Sequence, residues 1–160
     1  MSIIDERKRL LADRELRGSE FTLHLSDAAD QWLHGLFSSV AENRADLALI
    51  AVGGYGRRDL SPLSDLDVLL LHNDAADIEA VAEALWYPIW DQGEKLGHSV
   101  RTINETLTLA SEDLDTATAL LSSRIIAGSQ ALANELSGKA IDQWKSKATV
   151  SYTHLTLPTK

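Results

Sequence analysis

Apolar residues recur at helical spacing from Ile3 to Leu16 (Ile3, Ile4, Leu10, Leu11) and again from Asp27 to Asn43 (Trp32, Leu33, Leu36, Phe37, Val40), with charge on the remaining positions. This predicts two amphipathic helices at the start of the chain. Ser26 is the expected N-cap of the second, because its hydroxyl can accept from the free amides of the first turn. The pattern then changes. Asp46 to Val52 is a short apolar run ended by Gly53-Gly54, which predicts a buried strand feeding a tight turn. Leu66 to Leu71 predicts a second strand after a loop containing Ser61-Pro62, and Tyr55 to Leu60 between them has room only for a brief turn. Helical spacing returns from Ala75 to Trp90 (Ile78, Val81, Ala82, Leu85, Ile89), with Pro88 ending or kinking the helix. Leu96 to Ile103 predicts a third strand, punctuated by Gly93 and Gly97. From Asn104 to about Lys147 the pattern is helical, with Gly128 and Gly138 as stops and Ser129 as an N-cap. Strands alternating with helices imply an α/β layer with helical material before and after it. Trp86, Tyr87 and Trp90 fall at helical spacing and are expected in the core, and His72 is expected at the surface.

The expected organisation is N-terminal helices over 1–45, an α/β core with its C-terminal helices over 46–149, and a distinct tail over 150–160. The tail, VSYTHLTLPTK, is a Thr/Leu segment unlike the Ala- and charge-rich helix before it. It resembles the translation of a sequencing adapter read through at the end of an insert and is set aside as non-native. On that reading the natural chain continues beyond Thr149 and this one is a truncated piece.

Composition narrows the partners. Fifteen basic against 24 acidic residues give a net charge of −9 in 160 residues. That field repels phosphate at long range, so neither nucleic acid nor an anionic membrane is an expected partner, and any phosphate site must be local. No apolar run approaches the roughly 20 residues of a membrane span, and MSIIDERKRL has no signal-type apolar region, so a cytoplasmic location is expected. With no Cys, thiolate catalysis and Cys-ligated metals are excluded, leaving O and N ligands.

The chemistry concentrates in AVGGYGRRDLSPLSDLDVLLL, residues 51–71. Asp65 and Asp67 lie two apart at the start of a strand, so period-2 alternation projects both carboxylates from one face while Leu66 and Val68 enter the core. Two adjacent carboxylates repel, and a divalent ion beside them relieves that repulsion; with no thiolate or His nearby, Mg²⁺ or Mn²⁺ is favoured. Gly53 and Gly54 let the backbone turn sharply and approach a ligand, and successive amides at such a turn can receive phosphate oxygens. Arg57 and Arg58 add donors for the same polyphosphate, and Ser64 stands beside the Asp pair. The arrangement is neither a Walker loop, which requires Gly-Lys-Ser/Thr, nor a Rossmann fingerprint, whose Gly spacing differs.

The ordered set of a Gly-Gly turn followed by Asp-x-Asp on the next strand resembles the DNA polymerase β-like nucleotidyltransferase superfamily. More narrowly, GGYGRRDLSPLSDLDVLLL, then WYPIWDQGEKLGHSVRT, then DLDTATALLSSRIIAG are similar to the N-terminal nucleotidyltransferase region of the bifunctional uridylyltransferase/uridylyl-removing family that modifies the nitrogen-signalling protein PII. The likeness covers roughly Ala51 to Gly128. Arg58 stands where the family pattern has Gly, and Ser61 where it often has His. The resemblance implies a small mixed β-sheet with helices before and after it. It also implies that Gly53 and Gly54 line the nucleotide phosphates, that Asp65 and Asp67 hold the metals, and that UMP passes from UTP to a tyrosine of PII with loss of pyrophosphate. The family's HD hydrolase and glutamine-sensing ACT regions have no counterpart in these residues.

Sites of this type usually add a third carboxylate from a neighbouring strand. Gly97 to Arg101 contains none; Asp91 and Glu94 precede it and Glu105 follows it. His98 as a base or hydrogen-bond donor, and Arg101 as a hydrogen-bond donor to a phosphate, are the candidates that remain. Nothing in the motif reads the base, so an adenylyltransferase of the same superfamily stays open as an alternative, as does a catalytically silent nucleotide-binding or interaction domain.

Overall fold

The structure is a computed structural model that describes residues 2–156, with side chains described through Thr149. Its organising element is β1 (Leu47–Ala51), every residue of which is buried. An apolar run covered on both faces belongs in the middle of a sheet, and the strand order is β3-β2-β1-β4. β2 (Leu66–His72) and β4 (Arg124–Gly128) run antiparallel to β1, whereas β3 (Leu96–Arg101) runs parallel to β2. The sheet is therefore mixed, as expected.

Alternation along the strands divides the core in two. Leu47, Leu49 and Ala51 with Leu66, Val68 and Leu70 pack against α1 (Ile3–Ala12), α2 (Ser19–Ala41) and α4 (Ile78–Asp91). Ala48, Ile50, Leu69 and Leu71 face the other way, onto α5 (Ile103–Glu112), α6 (Leu114–Leu121) and α7 (Gln130–Thr156). Between β1 and β2 the chain makes one short helical turn, α3 (Gly53–Gly56). Arg7 of α1 reaches Glu94 in the α4–β3 connection at 3.2 Å, so the N-terminal helices share their packing with the sheet. Burial pushes the Glu94 carboxyl up, and the Arg7 charge opposes that.

Several boundaries differ from expectation. α2 begins at Ser19, and Ser26 is a fully buried residue inside it rather than its N-cap. The buried stripe Phe21, Leu25, Ala29, Leu33, Phe37, Ala41 has the required spacing, but the intervening polar residues mask its first two turns. α4 carries Pro88 and still runs to Asp91. Trp86 of that helix is buried, but Trp90 is 48% and Tyr87 71% exposed, so the aromatic cluster is not all core. His72 ends β2 half-buried, with Nδ1 shielded from solvent.

The larger difference lies between Asn104 and Lys147, where only helices, stopped at Gly128 and Gly138, are expected. Thr102 opens α5 with a capping box to Glu105, and Asp113 caps α6 by accepting from the Thr116 amide at 3.0 Å. Residues 124–128 are a strand, β4, which pairs with β1. Leu120, Leu121, Ile125 and Ile126 satisfy a helical period, yet Ile125-Ile126 before Gly128 is equally a strand and turn, and pairing with β1 decides it. Ser129 caps α7 as expected, accepting from the Leu132 amide at 3.2 Å, while Gly138 lies inside that helix rather than ending it. The backbone of α7 continues through 150 to Thr156; residues 157–160 of the expected tail lie outside the described residues.

Candidate active site

β1 delivers the chain to the Gly-Gly turn, and the turn is fastened to β2 at the acidic pair: the Val52 amide donates to the Asp67 carbonyl at 3.1 Å. Gly53 has φ +58°, in the left-handed region that disfavours a side chain. A Cβ built on Gly53 would lie 3.8 Å from Asp67 Oδ2 and 4.0 Å from the Ala119 Cβ of α6, so the turn, β2 and α6 converge on one place. Because Leu66 and Val68 enter the α1/α2/α4 layer, Asp67 projects from the other face of the sheet, toward α6.

Gly97 of β3 sits opposite Asp67 in register. A Cβ there would come 2.2 Å from Asp67 Oδ1, so the carboxylate lies over the space that a side chain would fill. In the sequence alone Gly97 marks only the approach to a strand. The signal available was a glycine inside a strand, which marks a bulge or a close approach.

Asp67 reaches solvent, yet its surroundings strip away enough water to hold its carboxyl above the ordinary carboxylate range; desolvation is the larger cause and the charge of Asp65 the second. Among the described residues neither Asp65 nor Asp67 has a hydrogen-bonding or ion-pairing partner in its side chain. Two unpaired, mutually repelling carboxylates form an oxygen donor set suited to a hard divalent cation. No group of three or more His, Asp or Glu residues able to hold a metal exists among the described residues. Glu94 is committed to Arg7 and Glu105 to the α5 capping box, so neither serves as a third carboxylate.

The two arginines diverge. Arg57 is exposed, 3.5 Å from Asp59, and its guanidinium passes 3.7 Å from a Cβ position on Gly54, over the turn. Arg58, with φ +62°, points back to α2 and pairs with Asp27 at 2.6 Å and Asp30 at 3.9 Å. Ser64 closes the loop into Asp65: its hydroxyl accepts from the Ser61 amide at 2.9 Å and bonds the Ser61 hydroxyl at 2.7 Å.

His98 and Arg101 stand elsewhere. His98 pairs with Val68 in register, on the face opposite Gly97's neighbour, and its ring packs on Trp86 and Trp90 with centroids at 5.4 and 5.1 Å. Arg101 pairs with Leu71. Four residues along the strand from the Asp67–Gly97 pair is about 13 Å, and the charge of Arg101 acts there on Glu105.

The support beneath the turn is not visible in the sequence pattern. Tyr55 is buried, and its hydroxyl donates to Asp30 of α2 at 2.7 Å. Burial, reinforced by the Asp30 charge, pushes the phenol far above its ordinary range. Arg124 of β4 donates to the same carboxylate at 3.1 Å, to the Tyr55 carbonyl at 3.1 Å and to the Gly56 carbonyl at 3.3 Å. Gly56 abuts the end of α6 so closely that a Cβ would fall 2.1 Å from the Ser122 carbonyl oxygen. Residue separations of 25 to 94 put these partners beyond any local sequence pattern.

The chain is similar to several known proteins. Residues 34–126 match the nucleotidyltransferase domain family. The chain is 42% identical over 144 residues to the bifunctional uridylyltransferase/uridylyl-removing enzyme of Streptomyces coelicolor, covering 89% of this chain and 17% of that protein. It is 45% identical over 123 residues to the protein of the same name from Mycobacterium tuberculosis, covering 75% of this chain and 15% of that protein. A solved structure of a toxin-antitoxin with AMP-PNP overlaps 79% of this chain and 94% of its own at 16% identity, with a TM-score of 0.47. Among the described residues no helix is long and apolar enough to cross a membrane. The family match covers more than half of the sequence and encloses the Gly-Gly turn, the Asp pair and Gly97, and the chain belongs to the nucleotidyltransferase domain family.

Proposed function

We propose that this chain carries the site for transfer of UMP from UTP to a tyrosine of the signalling protein PII, with release of pyrophosphate and with Mg²⁺ or Mn²⁺ at Asp65 and Asp67. The observation that carries the reading is the pair of unpartnered carboxylates, Asp67 in particular, lodged between Gly53 and Gly97. Likeness to relatives named uridylyltransferase supports UTP as the donor.

The residues divide the work as follows. Asp65 and Asp67 hold the cation, which when bound neutralises charge on the phosphates and activates the attacking hydroxyl. Gly53 and Gly54 allow the triphosphate to approach the backbone without a Cβ between them. Arg57, exposed above the turn, supplies the local positive charge that an acidic protein otherwise lacks. Ser64 orders the loop that sets Asp65. Arg58 serves the scaffold through Asp27 and leaves the phosphates to Arg57. The acceptor tyrosine approaches from the open side of Asp67, and positioning with charge neutralisation carries most of the acceleration.

The test is incubation of the chain with PII and radiolabelled UTP or ATP in Mg²⁺. Label on PII from UTP, lost in Asp67→Asn, is the expected result. Labelling from ATP alone contradicts the base assignment and favours the adenylyltransferase. Asp67→Asn labelling PII as the parent does contradicts the role given to the carboxylate.

A further inference from the structure

The nucleotide turn is held from outside. Residues 53–58 begin and end in left-handed backbone, at Gly53 (φ +58°) and at Arg58 (φ +62°), and the second of these is a conformation that a non-glycine residue adopts only when its surroundings impose it. The surroundings here are two elements remote in sequence, α2 and β4. Asp30 of α2 accepts from the Tyr55 hydroxyl at 2.7 Å and from Arg124 at 3.1 Å. Arg124 of β4 directs two further donors to the Tyr55 and Gly56 carbonyls, at 3.1 and 3.3 Å, and lies 5.4 Å over the Tyr55 ring. Arg58 closes the arrangement against Asp27 and Asp30. The side chains of Asp30 and Arg124 are each only 21% exposed, so solvent competes weakly for their contacts.

What the turn touches gives this network its consequence. Gly53 stands 3.8 Å, at its Cβ position, from Asp67 Oδ2, and Val52 is bonded to the Asp67 backbone. A turn that shifts by an ångström changes the space around that carboxylate, and geometry at such sites must be kept to about half an ångström. We propose that Asp30 is a positioning residue for the metal and nucleotide, acting through Arg124 and Tyr55 to hold the Gly53–Gly54 turn against Asp67. The inference rests on the reading that Asp67 and the turn bind metal and nucleotide, and it adds a residue of α2 that touches neither. Arg124 is the member that transmits the effect, because its planar fork alone reaches both the Asp30 carboxylate and the two backbone carbonyls.

The test is calorimetric titration of UTP with Mn²⁺ into the parent chain, Asp30→Asn, Arg124→Lys and Tyr55→Phe, each at a temperature where circular dichroism shows the fold intact. Asp30→Asn and Arg124→Lys are expected to raise the Kd about tenfold, while Tyr55→Phe, which keeps the Asp30–Arg124 pair, raises it by about threefold or less. Folded Asp30→Asn and Arg124→Lys binding within about twofold of the parent, with only a lowered Tm, would overturn the proposal, since residues that merely support the fold lower Tm without changing Kd in the folded state. Should Asp30→Asn not fold, Arg124→Lys, which retains the charge, decides by the same criterion. Binding by the parent that is unchanged in Asp67→Asn instead contradicts the metal reading itself and takes this proposal with it.

Discussion

Two glycines show at the scale of single residues how stability and function separate in this site. Gly97→Ala would drive a methyl group into Asp67 Oδ1, the mobile end of a side chain, whereas Gly56→Ala would drive one into the Ser122 carbonyl, which is backbone. Gly97→Ala should therefore change stability by only about 0.5 kcal/mol while turning Asp67 away and weakening Mn²⁺-UTP binding about tenfold. Gly56→Ala should cost about 3 kcal/mol or more, the scale of overpacking that a rigid neighbour cannot relieve. Urea melts beside calorimetric titration check both, and equal losses of stability would contradict the contrast. Asp67 also has a pH signature. Its folded-state carboxyl titrates above its ordinary value of 3.8, so its favourable contribution exists below that value and is lost as pH rises through the folded pKa. In EDTA at pH 7, Asp67→Asn should melt above the parent, and the difference should vanish as pH falls below the ordinary carboxylate range; a difference that grows on acidification would contradict this.

At the scale of elements, helices and strands with a clean period were legible, and those decided by remote partners were not. The apolar runs of β1 and β2 and the stripe of α4 reported themselves directly. The beginning of α2 was hidden because Thr22, His24, Ser26 and Asp27 interrupt a stripe that only the packed helix exposes. β4 was hidden because its strand character comes from pairing with a strand more than 70 residues earlier. The Asp-x-Asp pair and the Gly-Gly turn were readable from spacing, whereas Gly97, Asp30 and Arg124 enter only through register and long-range contact. Gly138 offers a test of the corrected helix. It lies within α7 with nothing within 4 Å of its Cβ position, so Gly138→Ala should raise stability by about 0.5–1 kcal/mol in chemical denaturation. A loss of stability would place the helix end where the glycine alone suggests it.

For the whole molecule, a net charge of −9 surrounds a site for which we propose a polyanionic nucleotide. Arg58 and Arg124 are paired within the scaffold and Arg57 stays exposed over the turn, so on the proposed function attraction would depend on Arg57 and on a cation held by Asp65 and Asp67. Both layers of helices contribute: α2 anchors the turn from one face of the sheet, and α6 closes over Gly53 and Gly56 on the other. The chain spans 15–17% of the two relatives described above, yet it contains the turn, the Asp pair and the network that joins them. The most direct measurement is equilibrium binding of UTP with and without Mg²⁺ to the parent chain, Asp65→Asn and Asp67→Asn. Binding that requires Mg²⁺ in the parent and falls at least about tenfold in each variant is expected; binding that is independent of Mg²⁺, or unchanged by both substitutions, would contradict the metal role proposed for the Asp pair.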